Sequence, residues 1–98
     1  MKIMIETQVM ENYGDAENPY WKMKGGNDYV IENVTVTDRK TLRDMVRRAE
    51  SQIESDDEYF REWIINWTLE ADDSLTTFEQ DQLEYDGEIK YPAKRISI

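Results

Sequence analysis

Negative charge is concentrated in the second half of this 98-residue chain and restricts which surfaces that half can form. Residues 50–90 contain fourteen Asp and Glu against only Arg61 and Lys90, which gives a local charge of -12. The formal charge of the whole chain is only -10. The rest of the chain is therefore slightly positive, and it includes a segment rich in arginine just before the acidic half. An acidic surface repels phosphate and lipid head groups and attracts basic protein surfaces.

The composition supports a folded chain with one modest core. Apolar residues make up 39% of the chain and charged residues 35%, a balance that approaches that of disordered segments. Against disorder stand three Trp, six Tyr and two Phe, which are large apolar side chains. We therefore expect a single folded domain over residues 1–98.

Periodic apolar residues predict three strands and one helix. Alternation indicates strands over residues 2–9, 29–36 and 63–69. Thr37–Asp38 provides a helix N-cap, and apolar residues at helical spacing predict an amphipathic helix that runs to about Glu54. The predicted core comprises Ile3, Ile5, Val9, Ile31 or Val34, Leu42, Met45, Val46, Ala49, Ile53, Trp63, Ile65, Trp67 and Leu69.

The last part of the chain is less regular. Glu79 follows Thr76 at capping-box spacing and Gly87 fits a helix end, which favours a surface helix over residues 77–85; an acidic hairpin is the alternative. Residues 88–98 indicate an edge strand, because Pro92 cannot donate to a ladder. The order of elements predicts an α+β fold: an antiparallel sheet of about four strands with one main amphipathic helix packed on one face.

The residues that most enzymes use are missing. The chain has no His and no Cys, so a histidine base, a thiolate and a zinc site are excluded. Asp73 and Glu84 have the outer spacing of a calcium loop, but Leu75 and Phe78 occupy its third and sixth positions. We expect no enzymatic activity, no cofactor and no dedicated metal site.

Five cations lie on the polar faces of the predicted first helix: Arg39, Lys40, Arg43, Arg47 and Arg48. They could contact phosphates, but the net charge of the chain opposes binding to nucleic acid. The favoured interpretation is that they pair with neighbouring acids, including Asp44 and Glu50, or with the acidic half. We therefore expect no direct contact with nucleic acid.

A long segment, residues 11–28, carries three aromatic residues between glycines and asparagines. Tyr13, Tyr20 and Trp21 could form a binding patch, since Tyr and Trp dominate interface hot spots. Alternatively, the segment folds over the sheet and buries these rings as a second small core. The sequence leaves both interpretations open.

The start of the chain resembles a group of phage proteins. Residues 1–9, Glu11–Gly14 and Tyr20–Gly26 are similar to segments of small uncharacterised acidic proteins of tailed phages. The likeness covers about the first third of the chain. It implies a phage setting and an inhibitor of the anti-restriction or anti-CRISPR type, and it brings no catalytic or ligand-binding residue with it.

The leading hypothesis is a non-enzymatic acidic phage protein that binds and inhibits a basic, nucleic-acid-handling host protein such as a nuclease, in the manner of a DNA mimic. Carboxylates gathered on one outer patch would occupy a site meant for phosphate. The predicted partner-binding residues are Asp56, Asp57, Glu58, Asp72, Asp73, Glu79, Asp81, Glu84 and Asp86, together with Tyr13, Tyr20 and Trp21.

The alternative hypothesis is a small interaction or assembly module, in which the acidic residues serve solubility. An exposed Ile64 and an open edge near Ile96 and Ile98 would favour a homodimer. Residues 1–6 are too short and polar for a signal peptide, and no apolar run approaches the roughly 20 residues that span a membrane. We expect a cytoplasmic protein, in the host cell if it is viral, with no membrane partner.

Overall fold

A mixed β-sheet with helices against its two faces forms the fold in a computed structural model, which describes residues 1–35 and 38–98. Eight elements follow one another along the chain. They are β1 (Lys2–Asn12), β2 (Trp21–Met23), β3 (Asp28–Ile31), α1 (Arg39–Ile53), β4 (Ser55–Asp56), β5 (Phe60–Glu70), α2 (Thr77–Asp86) and β6 (Lys94–Arg95).

Strand β1 lies at the centre of the sheet because both of its edges are paired. It runs antiparallel to β5 on one side and to β3 on the other, and its end also pairs with β2. The main path across the sheet is β4-β5-β1-β3-β6. The predicted alternation is confirmed: Ile3, Ile5 and Val9 point into the core, and the residues between them do not.

Helix α1 packs on the face of the sheet that carries these isoleucines. Asp38 caps it by accepting a hydrogen bond from the Thr41 backbone N–H at 2.7 Å, and this bond lowers the pKa of Asp38. The alternative cap, Thr37, and the end of the predicted second strand, Val36, lie outside the described residues. The buried core comprises Ile3, Ile5, Ile31, Val34, Val46, Ala49 and Ile53, with Leu42, Met45, Ile64, Trp67 and Leu69 packed against it.

A β-bulge corrects the prediction for the middle of β5. Glu6 pairs with Asn66 but Thr7 pairs with Ile64, so Ile65 is an extra residue with no partner on β1. Ile64 therefore faces the core, whereas Ile65, predicted to be buried, is 55% exposed. Trp63, also predicted in the core, is paired with Gln8 on the other face and is half-buried.

The sheet has more strands than predicted, and it is not purely antiparallel. It contains six strands, and β6 runs parallel to β3. The predicted strand over 29–36 ends at Ile31, and Asn33 adopts a left-handed φ of 57° soon after. The predicted edge strand over 88–98 is reduced to Lys94–Arg95.

Helix α2 is held by its ends rather than by a buried face. Thr76 and Glu79 form the predicted capping box, and Gly87 ends the helix with a left-handed φ of 76°. None of the residues of α2 is buried. The Gln82 side chain fastens the following segment, since its Oε1 accepts from the Tyr91 N–H at 2.7 Å and its Nε2 donates to the Tyr91 carbonyl at 2.8 Å.

Because α2 depends on its cap, Thr76→Ala should be costly although it removes few atoms. We expect the free energy of unfolding to fall by ~0.5–2 kcal/mol, the usual cost of losing an N-cap. A control substitution, Ser97→Ala, at an exposed position, should change it by less than ~0.5 kcal/mol. Urea denaturation of both variants measures the difference, and equal values would show that the cap does not hold α2.

Candidate functional site

The predicted acidic patch is divided between two ends of the molecule. Residues 56–58 precede β5 and residues 72–73 follow it. β5 has 11 residues, which at ~3.3 Å per residue separate its ends by about 35 Å. The expectation of one common outer patch for all nine carboxylates is therefore wrong.

Four of these nine carboxylates are already engaged within the chain. Asp56 accepts from the Arg61 Nε at 2.8 Å, and Asp72 lies 3.0 Å from the N-terminal ammonium. Asp57 accepts from the backbone N–H groups of residues 59 and 60 at 2.8 and 2.7 Å. Glu79 is half-buried, completes the capping box and also accepts from the Ala93 N–H. These groups serve local structure first.

The other five are exposed and make no ion pair within the described part of the chain: Glu58, Asp73, Asp81, Glu84 and Asp86. Three of the five lie on α2, which is ~15 Å long. The surrounding stretch, residues 70–88, contains eight Asp and Glu and no Lys or Arg. The acidic surface of this protein is therefore centred on α2, and we call residues 70–88 the α2 acidic segment.

The cations of α1 are not used to neutralise these acids. Arg39, Lys40, Arg43, Arg47 and Arg48 are all exposed. Within residues 1–35 and 38–98, no ion pair joins any of them to an Asp or Glu. The favoured sequence interpretation, internal pairing, is therefore wrong. The core contacts of α1 and the bond between Thr77 Oγ1 and Glu6 (3.3 Å) place the two helices against opposite faces of the sheet. The two charges thus lie on opposite sides.

The aromatic segment is rigid and its tyrosines are outside. The Asn12 side chain orders it: Oδ1 accepts from the N–H groups of Gly14 and Tyr20 at 2.9 and 2.8 Å, and Nδ2 donates to the Glu58 carbonyl at 2.9 Å. The rings of Tyr13 and Tyr20 are more than half exposed. They do not form a second small core.

These rings are covered by cations of the chain itself. The Arg61 guanidinium carbon lies 4.0 Å from the centre of the Trp21 ring. Lys22 Nζ is 5.6 and 5.3 Å from the rings of Tyr13 and Tyr20. Because cation–π contacts need the face of the ring, a ring that already has a cation at one face leaves less of its surface to a basic partner. The predicted aromatic site is thus less suited to a cationic partner than α2 is.

Sequence reasoning missed a buried carboxylate on β5. Glu62 is 6% exposed, and its Oε2 accepts three hydrogen bonds, from the Thr7 hydroxyl (2.6 Å), the Asn27 amide (2.8 Å) and the Tyr29 hydroxyl (2.9 Å). The bulge at Ile65 turns Glu62 to this face. The only hint in the sequence is the adjacent pair Ile64–Ile65. Either isoleucine could face the core, so the pair leaves open on which side of the strand Glu62 lies.

This network fastens the segment before β3 to the central strand. Thr7 and Val9 donate their backbone N–H groups to the carbonyls of Asn27 (3.0 Å) and Gly25 (2.8 Å). Gly26 comes so close that a Cβ there would lie 1.8 Å from the Thr7 carbonyl oxygen. Burial and the hydrogen bond to Glu62 raise the pKa of Tyr29 to about 12. With three donors on one oxygen, Glu62 is a structural anchor.

A groove lies between α2 and the segment that this network holds. Its volume is about 450 Å³, and it is lined by residues 26–28, by α2 and by residues 91, 92 and 94. Tyr85 and Tyr91 border it and are 81% and 79% exposed. Asp81 and Asp86 border it as well, which gives the groove both aromatic and acidic walls.

Asp28, the first residue of β3, lies at the side of this groove that adjoins the sheet. Both of its carboxylate oxygens are shielded from solvent, and no donor among the described residues makes a hydrogen bond of ordinary geometry with either. Burial raises its pKa, Glu79 and Glu6 add to the rise, and the nearby Thr76 opposes it in part. Among the described residues, no group of three or more Asp or Glu is arranged to hold a metal ion.

The Tyr29–Glu62 bond gives a testable stability effect. Tyr29→Phe should lower the free energy of unfolding by ~1.5–3 kcal/mol, the range for a hydrogen bond to a charged group. Tyr59→Phe, at an exposed ring, should change it by less than ~0.5 kcal/mol.

The same bond predicts a dependence on alkaline pH. Because the folded pKa of Tyr29 lies above its ordinary 10.0, its stabilisation is complete below pH 10.0 and lost as pH rises through about 12. Thermal melts over that window should show this loss in the unaltered chain and less of it in Tyr29→Phe. Parallel curves would contradict the assignment.

Asp28 should destabilise the fold at neutral pH. A carboxylate whose folded pKa is raised costs stability above that pKa, and the cost disappears as pH falls towards 3.8. Asp28→Asn is therefore expected to raise the melting temperature at pH 7, with a gain that shrinks in acid. Asp73→Asn, at an exposed position, is the matched control. A melting temperature lowered by Asp28→Asn would contradict this account.

The chain's wider relationships add no functional assignment. In the part of the chain that the structure describes, no helix is both long and apolar enough to span a bilayer. Comparison with protein-family models, curated proteins and solved structures finds no match to this chain. What it does must therefore be inferred from its own residues and geometry.

Proposed function

We propose that this chain is a non-enzymatic binding protein that inhibits a basic, nucleic-acid-handling protein by occupying its phosphate-binding surface with α2. A phage accessory protein acting on a host nuclease is the setting we favour. The observation that carries the proposal is the α2 acidic segment: it contains eight Asp and Glu and no Lys or Arg, and four of the eight lie on α2, a helix with no buried residue.

The way α2 is built supports this function. A helix without a buried face gains little from packing, yet this one is fixed by a capping box, a glycine end and the Gln82 contacts. The chain thus holds in place a short rod of negative charge. Duplex DNA presents one charge per ~1.7 Å of its axis, and a surface that binds DNA would attract such a rod through the same field.

The opposite charge of α1 helps to orient the encounter. With exposed cations on one side of the sheet and exposed carboxylates on the other, the molecule has a strong electric asymmetry. A basic target attracts the acidic side and repels the basic side, so the productive orientation is favoured before contact. Bound in this way, α2 excludes nucleic acid sterically as well as by charge.

Competition at two salt concentrations tests the proposal. Basic nucleic-acid-binding proteins captured on the immobilised chain should be displaced by duplex DNA. They should also be released between ~0.1 M and ~1 M salt, as the Debye length falls from about 10 to about 3 Å. The triple variant Asp81→Asn, Glu84→Gln, Asp86→Asn should lose most of this capture.

A second triple variant controls for net charge. Glu17→Gln, Asp44→Asn, Glu50→Gln changes the formal charge by the same amount but lies outside the α2 acidic segment. It should retain capture. Equal loss in both variants would show that only net charge matters, and capture that DNA does not compete with would contradict occupation of a nucleic-acid site.

A second candidate function is self-assembly through β5. The sequence features that suggested a homodimer support it less than expected, because Ile64 and Ile96 pack against the core. One observation still favours it: β4 pairs only with residues 61 and 62 of β5, so within the described chain the outer edge of β5 beyond them has no partner strand. Ile65 is exposed on the same strand, and exposed edges invite pairing with a second chain.

The molar mass in solution distinguishes the two functions. A dimer formed through β5 should persist or tighten at high salt, because apolar contacts strengthen there, and Ile65→Lys should convert it to a monomer. Light scattering coupled to size-exclusion chromatography measures both. A monomer at all concentrations would eliminate assembly and leave the α2 proposal untouched.

A further inference from the structure

The groove beside α2 combines aromatic rings with carboxylates. Aromatic rings of Phe78, Tyr85 and Tyr91 border it, and three carboxylates, Asp28, Asp81 and Asp86, border it too. Aromatic faces and carboxylates are the two kinds of group that recognise an organic cation. Phosphates would be repelled by these carboxylates, and among the described residues no three carboxylates are placed to hold a metal ion together.

The two tyrosines are unusually exposed for an intramolecular role. Tyr85 and Tyr91 leave 81% and 79% of their surface in water, and in the described part of the chain neither ring has a cation over it. By contrast, the rings of Tyr13 and Tyr20 are already occupied by Lys22. The faces of Tyr85 and Tyr91 are therefore available to a cation from another molecule.

Asp28 provides an independent observation. Its two oxygens are enclosed and lack hydrogen-bond donors among the described residues, which is costly for a buried polar group. An ammonium or guanidinium in the groove would offset the negative charge of Asp28 without touching its enclosed oxygens. Lys94, the one cation that borders the groove, is held at 3.4 Å from the Asn27 Oδ1 and does not fill this role.

We propose that this groove binds a single cationic side chain of the partner, the ammonium of a Lys or the guanidinium of an Arg, between its aromatic rings and its carboxylates. The proposal rests on the function proposed above and deepens it: the α2 surface attracts a basic protein, and the groove takes up one of its side chains. The volume, about 450 Å³, leaves room for such a side chain with its methylene groups.

Three capped pentapeptides serve as probes, each with one central residue between glycines: Arg, Lys or norleucine. NMR titration of the labelled chain at low salt should show shifts of the amides of Gly26–Asp28 and of α2 with the Arg and Lys peptides. The neutral peptide should produce no such shifts. The ratio of the two cationic affinities distinguishes guanidinium from ammonium, since only the planar guanidinium also stacks on rings.

Matched variants separate the groove from the general acidic field. Tyr85→Ala and Tyr91→Ala should each weaken binding of the Arg peptide about two- to fivefold, the range of an exposed cation–π contact, whereas Tyr59→Ala should not. The pair Asp81→Asn, Asp86→Asn should weaken it about tenfold, against less than about twofold for Asp73→Asn, Glu84→Gln, which removes equal charge outside the groove.

The outcomes distinguish a failure of the groove from a failure of the function. Equal weakening by both charge pairs, no effect of either tyrosine variant, or binding of norleucine would overturn the groove, while salt-sensitive capture of basic proteins would still support the α2 surface. If neither charge pair weakens capture of basic proteins, both proposals are wrong.

Discussion

The hydrogen bonds to the buried carboxyl group of Glu62 are the interactions on which the arrangement of the proposed binding surface depends. A carboxyl group at 6% exposure is tolerable only with hydrogen-bond partners around it, and here three donors come from Thr7 on β1 and from Asn27 and Tyr29 at the start of β3. Glu62 reaches this position because the extra residue in β5, Ile65, reverses the alternation of the strand. The network then holds residues 24–28 against β1, and residues 26–28 form one wall of the groove beside α2.

The sheet separates the positive charge of α1 from the negative charge of α2. α1 contributes apolar residues to the core and leaves its cations in solvent, while α2 contributes no buried residue and presents carboxylates from the opposite side. Like charges spaced four residues apart, as in Arg39, Arg43 and Arg47, destabilise a helix slightly. The core contacts of Val46, Ala49 and Ile53 outweigh that cost, since a fully buried aliphatic side chain contributes ~1.5–3 kcal/mol. Charge can therefore be placed on both surfaces without weakening the core.

Local signals in the sequence predicted the main helices and strands. The strand register and the position of the last segment depended on contacts between distant segments. The cap at Asp38, the Thr76–Glu79 box and the end at Gly87 were readable because each depends on residues within one turn. The bulge was not, because Ile64 and Ile65 satisfy either register and only the pairing with β1 chooses between them. The parallel pairing of β6 and the groove depend on where residues 88–98 return, which no local pattern specifies. The acidic residues were identified, but which of them remain available was decided by partners such as Arg61 and the N-terminus.

Native-state hydrogen exchange of Glu62→Gln tests the central claim most directly. If the carboxylate holds residues 24–28, the amides of Lys24 and Asn27, which bond to Val9 and Thr7, should exchange faster in the variant. The amides of α1 should keep their protection, because they depend on the core. Unchanged protection at Lys24 and Asn27, or an equal loss throughout the chain, would contradict the claim that Glu62 organises this surface.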